Sequence, residues 1–164
     1  MNPTADYPVH ALLDDAIAAE HAAQALYLAF AERFSDPPEV AEFWRSLAND
    51  EQLHAEMLKK VRDALPPERL AAPADPEAAH KARQLSNLIS EDAIEKTQSL
   101  KAAYWLAHDL ESSEVNTIFD FILTQFMDDE TLKAFALAQL QDHVAKLMEP
   151  SALRDLVWHE GLEE

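Results

Sequence analysis

The fold of this chain is decided by the stretch Leu47-Ala48-Asn49-Asp50-Glu51-Gln52-Leu53-His54-Ala55-Glu56. Apolar residues recur at helical spacing on both sides of it, and Glu51 and His54 occupy the next two positions of that stripe. A carboxylate and an imidazole therefore point into the core of a helical protein. Because burying a polar group unpaired costs roughly 2–7 kcal/mol, something in the core must receive both. The receiver is a divalent metal ion or, without metal, a hydrogen-bonded pair.

Length and composition predict an all-α protein. A chain of 164 residues suits a single domain, residues 1–164, with a sizeable core. One glycine and nine prolines in an Ala-, Leu- and Glu-rich background are typical of long helices joined by proline-containing turns. The chain has no cysteine, which excludes disulfides and thiolate metal centres within it.

The charge limits the partners. Lys and Arg total 13 against 31 acidic residues, and a net charge of −18 argues against nucleic acids and anionic membranes. The same charge attracts cations. No apolar run approaches the ~20 residues of a membrane span, and the N-terminus lacks the basic and apolar regions of a signal peptide. We expect a cytoplasmic protein.

The first half of the chain predicts an antiparallel helical hairpin. Helix 1 is expected over about 7–34 and helix 2 over about 37–65, with a short proline-containing turn between them. Glu20 lies in the apolar stripe of helix 1. It is about sixteen residues before the turn and Glu51 is about fifteen after it, so at ~1.5 Å per residue both reach the same depth.

The second half predicts another hairpin. Helix 3 is expected over about 77–110 and helix 4 over about 113–148, with the turn near Ser112. From that turn, Glu95 is about seventeen residues back and Glu130 about eighteen forward. The segment from 66 to about 80 reaches some 50 Å when extended, which allows one long crossover between the hairpins. A short C-terminal helix is expected over 151–158.

Four motifs stand on the predicted helices: Glu20 followed seven residues later by Tyr27, Glu51-x-x-His54-Ala55, a helix-3 glutamate and a Glu-x-x motif on helix 4. Together they resemble the ferritin-like superfamily of bacterioferritins and rubrerythrins. The resemblance implies a ferritin-like four-helix bundle that binds two irons. It implies Glu20 and Glu95 as terminal ligands, Glu51 and Glu130 as bridging ligands, and His54 as an imidazole ligand. Asp92 or Glu91 could replace Glu95.

The helix-4 motif departs from the family pattern. Where a second Glu-x-x-His is expected, the sequence reads Glu130-Thr131-Leu132-Lys133. A protonated Lys has no lone pair for a metal, so Lys133 predicts an altered second site and one or two bound ions. Iron is expected, and Mn or Zn would accept the same ligands. His143 is excluded as a substitute because it lies thirteen residues, ~20 Å of helix, from Glu130.

Two functions follow from the resemblance. The first is an iron-dependent oxidoreductase of ferroxidase or peroxidase type, which acts with O2 or peroxide and needs an external electron donor. The alternative is a bundle that has lost redox chemistry and acts as a structural or partner-binding protein. A narrow apolar stripe on helix 4, Phe121, Leu132 and Phe135, is either an oligomer contact or the surface on which the crossover packs. We favour the contact and expect a homodimer or higher homo-oligomer.

Overall fold

The computed structural model describes residues 7–85, 89 and 92–148, which are almost entirely helical. Its helices are α1 (Val9–Arg33), α2 (Pro38–Ala64), α3 (Pro67–Ala71), α4 (Pro76–Leu85), α5 (Ala93–Lys96), α6 (Leu100–Glu111), α7 (Glu114–Phe126) and α8 (Glu130–Met148). The described residues include no β-strand, only an isolated bridge between Pro8 and Pro73. The prediction of an all-α fold is confirmed. The expected C-terminal helix 151–158 lies outside the described residues.

α1 and α2 form the first hairpin, and their apolar faces build the larger part of the core. The ring of Tyr27 stacks on Trp44 with centroids 6.0 Å apart, and Phe30 meets Trp44 edge-on at 5.0 Å. All three side chains are fully buried. This packing fixes the register of the two helices and brings Glu20 and Glu51 to one depth. None of the helices in the described ranges is long and apolar enough to cross a membrane.

α6 and α7 lie end to end and act as one interrupted helix of the bundle. Ser112 between them keeps an α-helical backbone, with φ −89° and ψ 0°. Ser113 then starts α7, because its Oγ accepts the N–H of Val115. Glu111 and Phe119 contact the centre of the bundle at successive levels, beside His143 and His54 respectively. The two serines therefore interrupt the helix without reversing the chain.

The second hairpin turns at residues 127–129. Asp129 caps α8, because its Oδ1 accepts the N–H of Leu132 at 3.0 Å. α8 then runs antiparallel to α6, and the hydroxyl of Tyr104 donates to the carbonyl of Leu147 near the far end. The structure thus differs from the predicted boundaries 77–110 and 113–148. The predicted turn at Ser112 is a helix junction, and the reversal at 127–129 lies about sixteen residues further on.

The crossover between the hairpins is longer than predicted and contains α3, α4 and α5. α4 packs on α1 and α7. Beyond it, Arg33 at the end of α1 donates to the carbonyl of Ile94 in α5 at 2.7 Å. The crossover therefore returns the chain to the end of the bundle where α2 began. Four bundle helices result, α1, α2, α6–α7 and α8, as two antiparallel hairpins joined by one long connection.

Candidate metal centre

Three buried polar side chains meet inside the first hairpin. Glu20 comes from α1, and Glu51 and His54 come from adjacent turns of α2. Each residue is at most 1% exposed. Nδ1 of His54 lies 3.6 Å from Oε2 of Glu20 and 3.5 Å from Oε2 of Glu51. The structure therefore brings these three predicted site residues together.

The facing atoms of this group fit a metal ion. Oε2 of Glu20, Oε2 of Glu51 and Nδ1 of His54 are buried and have no hydrogen-bond partner. Their separations are too long for good hydrogen bonds. Ligand atoms about 2.1 Å from a shared metal lie roughly 3 to 3.5 Å apart, which is close to the spacing observed. A cation among them would satisfy three buried atoms that nothing else in the described chain satisfies.

A second group of the same kind lies beside the first. Nε2 of His143, from α8, is 2.7 Å from Oε1 of Glu51 and 2.8 Å from Oε1 of Glu111 at the end of α6. His143 is fully buried and Glu111 is 6% exposed. Glu51 belongs to both groups, with Oε2 facing the first and Oε1 facing the second. Among the described residues, Glu51 is therefore the carboxylate that the two candidate groups share.

The pKa shifts show that the buried carboxylates of this cluster stabilise positive charge on their neighbours. Burial and the neighbouring Glu51 carboxylate raise the pKa of Glu20 well above its usual range. Burial alone would lower the pKa of His54, but Glu20 and Glu51 outweigh it and raise that pKa to about 10. Burial likewise opposes the charge on His143, yet Asp50, Glu111 and Glu51 raise its pKa to about 12. Bound protons supply the countercharge when no metal does.

Glu51 shifts in the opposite direction. Burial would raise its pKa, but the interactions with Glu20, His143 and His54 hold the pKa of Glu51 well below its usual range. The pKa values of the two neighbouring carboxylates are therefore shifted apart, and the shared Glu51 is the more readily ionised of the two. An ionised carboxylate between two imidazoles is the form needed to bind two cations at once.

Each imidazole is oriented by a polar residue on the opposite helix. Nε2 of His54 lies 2.6 Å from Oε1 of Gln139 on α8, and Nδ1 of His143 lies 3.0 Å from Oδ2 of Asp50 on α2. Both partners are acceptors, so these ring nitrogens carry the protons. The raised pKa values mean that the inner nitrogens also carry protons in the metal-free protein. When a metal ion displaces those protons, Nδ1 of His54 and Nε2 of His143 would present lone pairs to the centre, as metal-bound histidines require.

Asp50 is itself held in place by Lys146, a partly exposed residue of α8. Nζ of Lys146 donates to Oδ2 of Asp50 at 2.9 Å and to Oγ of Ser46 at 2.8 Å. Burial opposes the charge on Asp50, but the hydrogen bonds from His143 and Lys146 outweigh it and lower the pKa of Asp50. The Asp50 carboxylate therefore stays ionised as an acceptor for His143.

Two hydrogen bonds fix the carboxylate of Glu111. The buried hydroxyl of Tyr27 donates to its Oε1 at 2.6 Å, and Nδ2 of Asn116 donates to its Oε2 at 2.8 Å. Burial and the adjacent Glu111 and Glu51 carboxylates raise the pKa of Tyr27 well above its usual value. Tyr27 therefore remains a neutral donor that aims Glu111 at the centre.

The two halves of the centre share one pattern, with one difference. α2 contributes Asp50-Glu51-x-x-His54, and α8 contributes Gln139-Leu140-x-x-His143. In each motif the first residue bonds the histidine of the other helix: Asp50 bonds His143, and Gln139 bonds His54. Where α2 has the carboxylate of Glu51, however, α8 has the apolar side chain of Leu140.

The remaining predicted site residues lie elsewhere. Glu95 is exposed in α5. The side chain of Glu130 is 83% exposed at the start of α8 and pairs with Lys133, whose Nζ is 3.2 Å away. Asp92 is half-exposed and pairs with Lys96 at 2.7 Å, and Glu91 lies outside the described residues. Neither Glu95 nor Glu130 is brought to the centre, because the second hairpin turns at 127–129 instead of at Ser112.

Glu111 and His143 occupy the positions that the sequence reasoning gave to Glu95 and Glu130. The exclusion of His143 was wrong, because its distance from Glu130 is irrelevant once Glu130 lies at the helix start. Measured from the true turn, Glu111 is about seventeen residues before Asp128 and His143 about fifteen after it, so the two residues reach similar depths in the bundle. No Glu-x-x-His motif marks His143 in the sequence, because the residue three positions before it is Leu140.

The fold and this centre define a class: a ferritin-like four-helix bundle with carboxylates and histidines on facing helices. The sequence profile of the rubrerythrin family matches residues 11–125, and the chain belongs to this family of ferritin-like di-iron carboxylate proteins. The matched range contains Glu20, Glu51, His54 and Glu111 and ends before α8, which supplies His143. Comparisons with curated proteins and with solved structures gave no match.

Proposed function

We propose that this chain binds two iron ions between its four bundle helices and acts as an oxidoreductase toward O2 or peroxide. Glu20 and His54 would hold one ion, and Glu111 and His143 the other. Glu51 would bridge them. The observation that carries the proposal is the set of three converging ligand atoms without partners, on Glu20, Glu51 and His54. Mn or Zn would suit the same donors, so metal identity is part of the test.

The chain's own residues would prepare and protect the centre. Asp50 and Gln139 hold the two imidazoles in the tautomers that ligation needs. The ring of Phe119 lies 4.6 Å from that of His54 and shields this side of the centre from solvent. Bound iron supplies the redox chemistry toward O2 or peroxide, and the oxygen-rich ligand set favours its oxidised form. An external donor would return the electrons, because the chain has no cysteine centre of its own.

The deciding experiment is metal stoichiometry after reconstitution with Fe(II) without oxygen, followed by desalting and elemental analysis. We expect two irons per chain, and consumption of O2 or peroxide when either is added. Glu51→Ala should lose both ions, since Glu51 belongs to both groups. Glu56→Ala is the matched control, because Glu56 is exposed on the same helix. Folded wild-type protein that retains no metal would overturn the proposal.

One observation favours the competing function, a bundle without redox chemistry that serves a structural or partner-binding role. His143 already pairs with Asp50, Glu51 and Glu111, so this half of the centre is a satisfied polar network without any metal. Such a protein would bind at most one ion, at Glu20 and His54. A stoichiometry of one or none, with no consumption of O2 or peroxide, would favour this function.

Self-association remains a prediction. Phe135 on α8 is 57% exposed, whereas Phe121 and Leu132 of the predicted stripe pack partly against the core. Light scattering on the reconstituted protein would measure the mass of the assembly. A monomeric mass would contradict the predicted homo-oligomer.

A further inference from the structure

A groove on the surface of the bundle reaches the half of the centre that Glu111 and His143 form. It has a volume of about 510 Å³ and runs between the α6–α7 junction and the last turns of α8. Glu111 and Asn116 form one wall, and Leu140, Val144 and Met148 line the other. Gln141 and Ala145 are exposed at its rim. This volume lies in the range of small-molecule sites, roughly 300–1,000 Å³.

The groove contains the position where the centre lacks a ligand. Leu140 stands three residues before His143, as Glu51 stands three residues before His54. The reciprocal bonds of Asp50 and Gln139 show that the two motifs occupy equivalent places. An apolar side chain offers no lone pair, so α8 supplies one ligand fewer than α2.

The charges of the centre are unbalanced for the same reason. The carboxylates in its two candidate ligand groups are Glu20, Glu51 and Glu111. The charge of Asp50 behind His143 is already offset by Lys146, whose Nζ lies 2.9 Å from it. When both histidines are neutral, two divalent ions bring four positive charges against these three negative ones. A net charge in a buried site is unfavourable unless it is paired, so the loaded centre favours one additional anion.

We propose that a monocarboxylate with an apolar tail binds in this groove, with its carboxylate at the metal centre beside Leu140 and its tail along Val144 and Met148. This inference rests on the proposed function, because the metal ions supply the attraction. Neither Lys nor Arg lines the groove among the described residues, whereas the acidic residue Glu111 does. The metal-free protein should therefore repel the ligand that the loaded protein binds.

The test uses Co²⁺, whose visible absorption bands respond to a change of ligands. The full chain is loaded with Co²⁺ without oxygen, its metal content is measured, and it is titrated with octanoate, acetate and octan-1-ol. Octanoate should change the bands in a saturable way. Acetate should need roughly tenfold or higher concentration, because it lacks the methylenes that the groove buries. Octan-1-ol should leave the bands unchanged, and calorimetry should detect no octanoate binding to metal-free protein.

Variants of groove residues test the carboxylate and the apolar tail of the ligand separately. Leu140→Glu places a carboxylate on the protein, so the variant should keep two Co²⁺ and lose the response to octanoate. Leu140→Gln is the matched control of similar size without charge, and it should keep the response. Val144→Trp fills the groove from a half-buried position and should weaken octanoate at least tenfold while acetate is unaffected.

The possible failures are distinguishable. If the protein binds two Co²⁺ and octanoate leaves the absorption bands unchanged, this inference is overturned and the proposed function stands. Equal octanoate binding with and without metal would overturn it as well, since the carboxylate would then be no ligand. Folded protein without bound metal would overturn the proposed function and this inference together.

Discussion

The two halves of the centre use equivalent positions but are satisfied in different ways. In the half around His54, three ligand atoms on Glu20, Glu51 and His54 have no partner. In the half around His143, the imidazole contacts carboxylates at 2.7 to 3.0 Å on both of its nitrogens. The first half therefore needs a cation to be satisfied, whereas the second is held by its own hydrogen bonds. Metal should contribute more to the order of the first half than to that of the second.

The largest expected effect comes from removing each histidine in metal-free protein. His143→Leu removes the buried imidazole that pairs with three carboxylates, including Asp50 and Glu111, and breaking such buried pairs costs roughly 3–5 kcal/mol. His54→Leu removes the hydrogen bond to Gln139 and only longer contacts, of 3.5 and 3.6 Å, to two carboxylates, so it should cost less, about 1–2 kcal/mol. Urea unfolding of the two variants measures the difference. Equal losses would remove the distinction between the halves.

The next effect is a pH dependence with opposite signs for folding and for metal binding. The pKa of His54 is raised to about 10 and that of His143 to about 12 in metal-free protein. Their contribution to stability is complete below the unfolded value near 6.5 and declines as pH rises through the folded values. Metal binding must displace these protons, so affinity should fall about tenfold per ion for each unit from pH 8 to 6.

Competition titrations with a chelator at three pH values, beside urea unfolding of metal-free protein at pH 7 and pH 10, measure both trends. Metal-free protein that gains stability toward pH 10, or metal affinity that is constant between pH 6 and 8, would contradict the assignment. An ionic strength held constant across the series serves as the control for general charge effects.

A smaller effect is expected from the residues that orient the imidazoles. Gln139→Met removes the acceptor of His54 and Asp50→Asn weakens that of His143, and each should reduce the affinity for one ion by 10- to 100-fold. The affected ion should differ between the two variants. Calorimetric titration with Fe(II) or Co²⁺ resolves the two binding steps. A loss of the same ion in both variants would show that the halves are not independent.

The smallest effect is expected at the motif that the sequence favoured for the second ion. Lys133→His recreates Glu-x-x-His on α8, yet Glu130 is exposed and Lys133 lies beside it, away from both ligand groups. We expect no change in metal stoichiometry. A gain of one ion would show that Glu130 and residue 133 reach the centre in solution.

The first hairpin could be predicted because its turn is marked by prolines. Residues 34–37 reverse the chain at Pro37-Pro38, so the depths of Glu20 and Glu51 follow by counting. The second hairpin turns at Met127-Asp128-Asp129, where neither glycine nor proline marks the reversal. Ser112-Ser113 carries the stronger capping signal, but Ser112 stays helical and the chain continues in the same direction. Local capping preference cannot distinguish a junction from a reversal, since packing against α2 decides between them.

The ligands of the second half could not be identified from spacing alone for a related reason. Leu140 removes the carboxylate that would have marked the α8 motif, and Glu111 stands at a helix end instead of in a long apolar stripe. Their role emerges only from contacts across the bundle, such as those of His143 with Asp50 and of Tyr27 with Glu111.

The long crossover has a consequence for the order in which the chain assembles. The half around His54 joins two neighbouring helices across a short turn, whereas Asp50 and His143 are 93 residues apart in the sequence and Tyr27 and Glu111 are 84 apart. Contacts between distant residues close larger loops and form later in folding. The α1–α2 hairpin can therefore nucleate the fold with its three ligand atoms already in place, and the second coordination half is completed only when α8 docks.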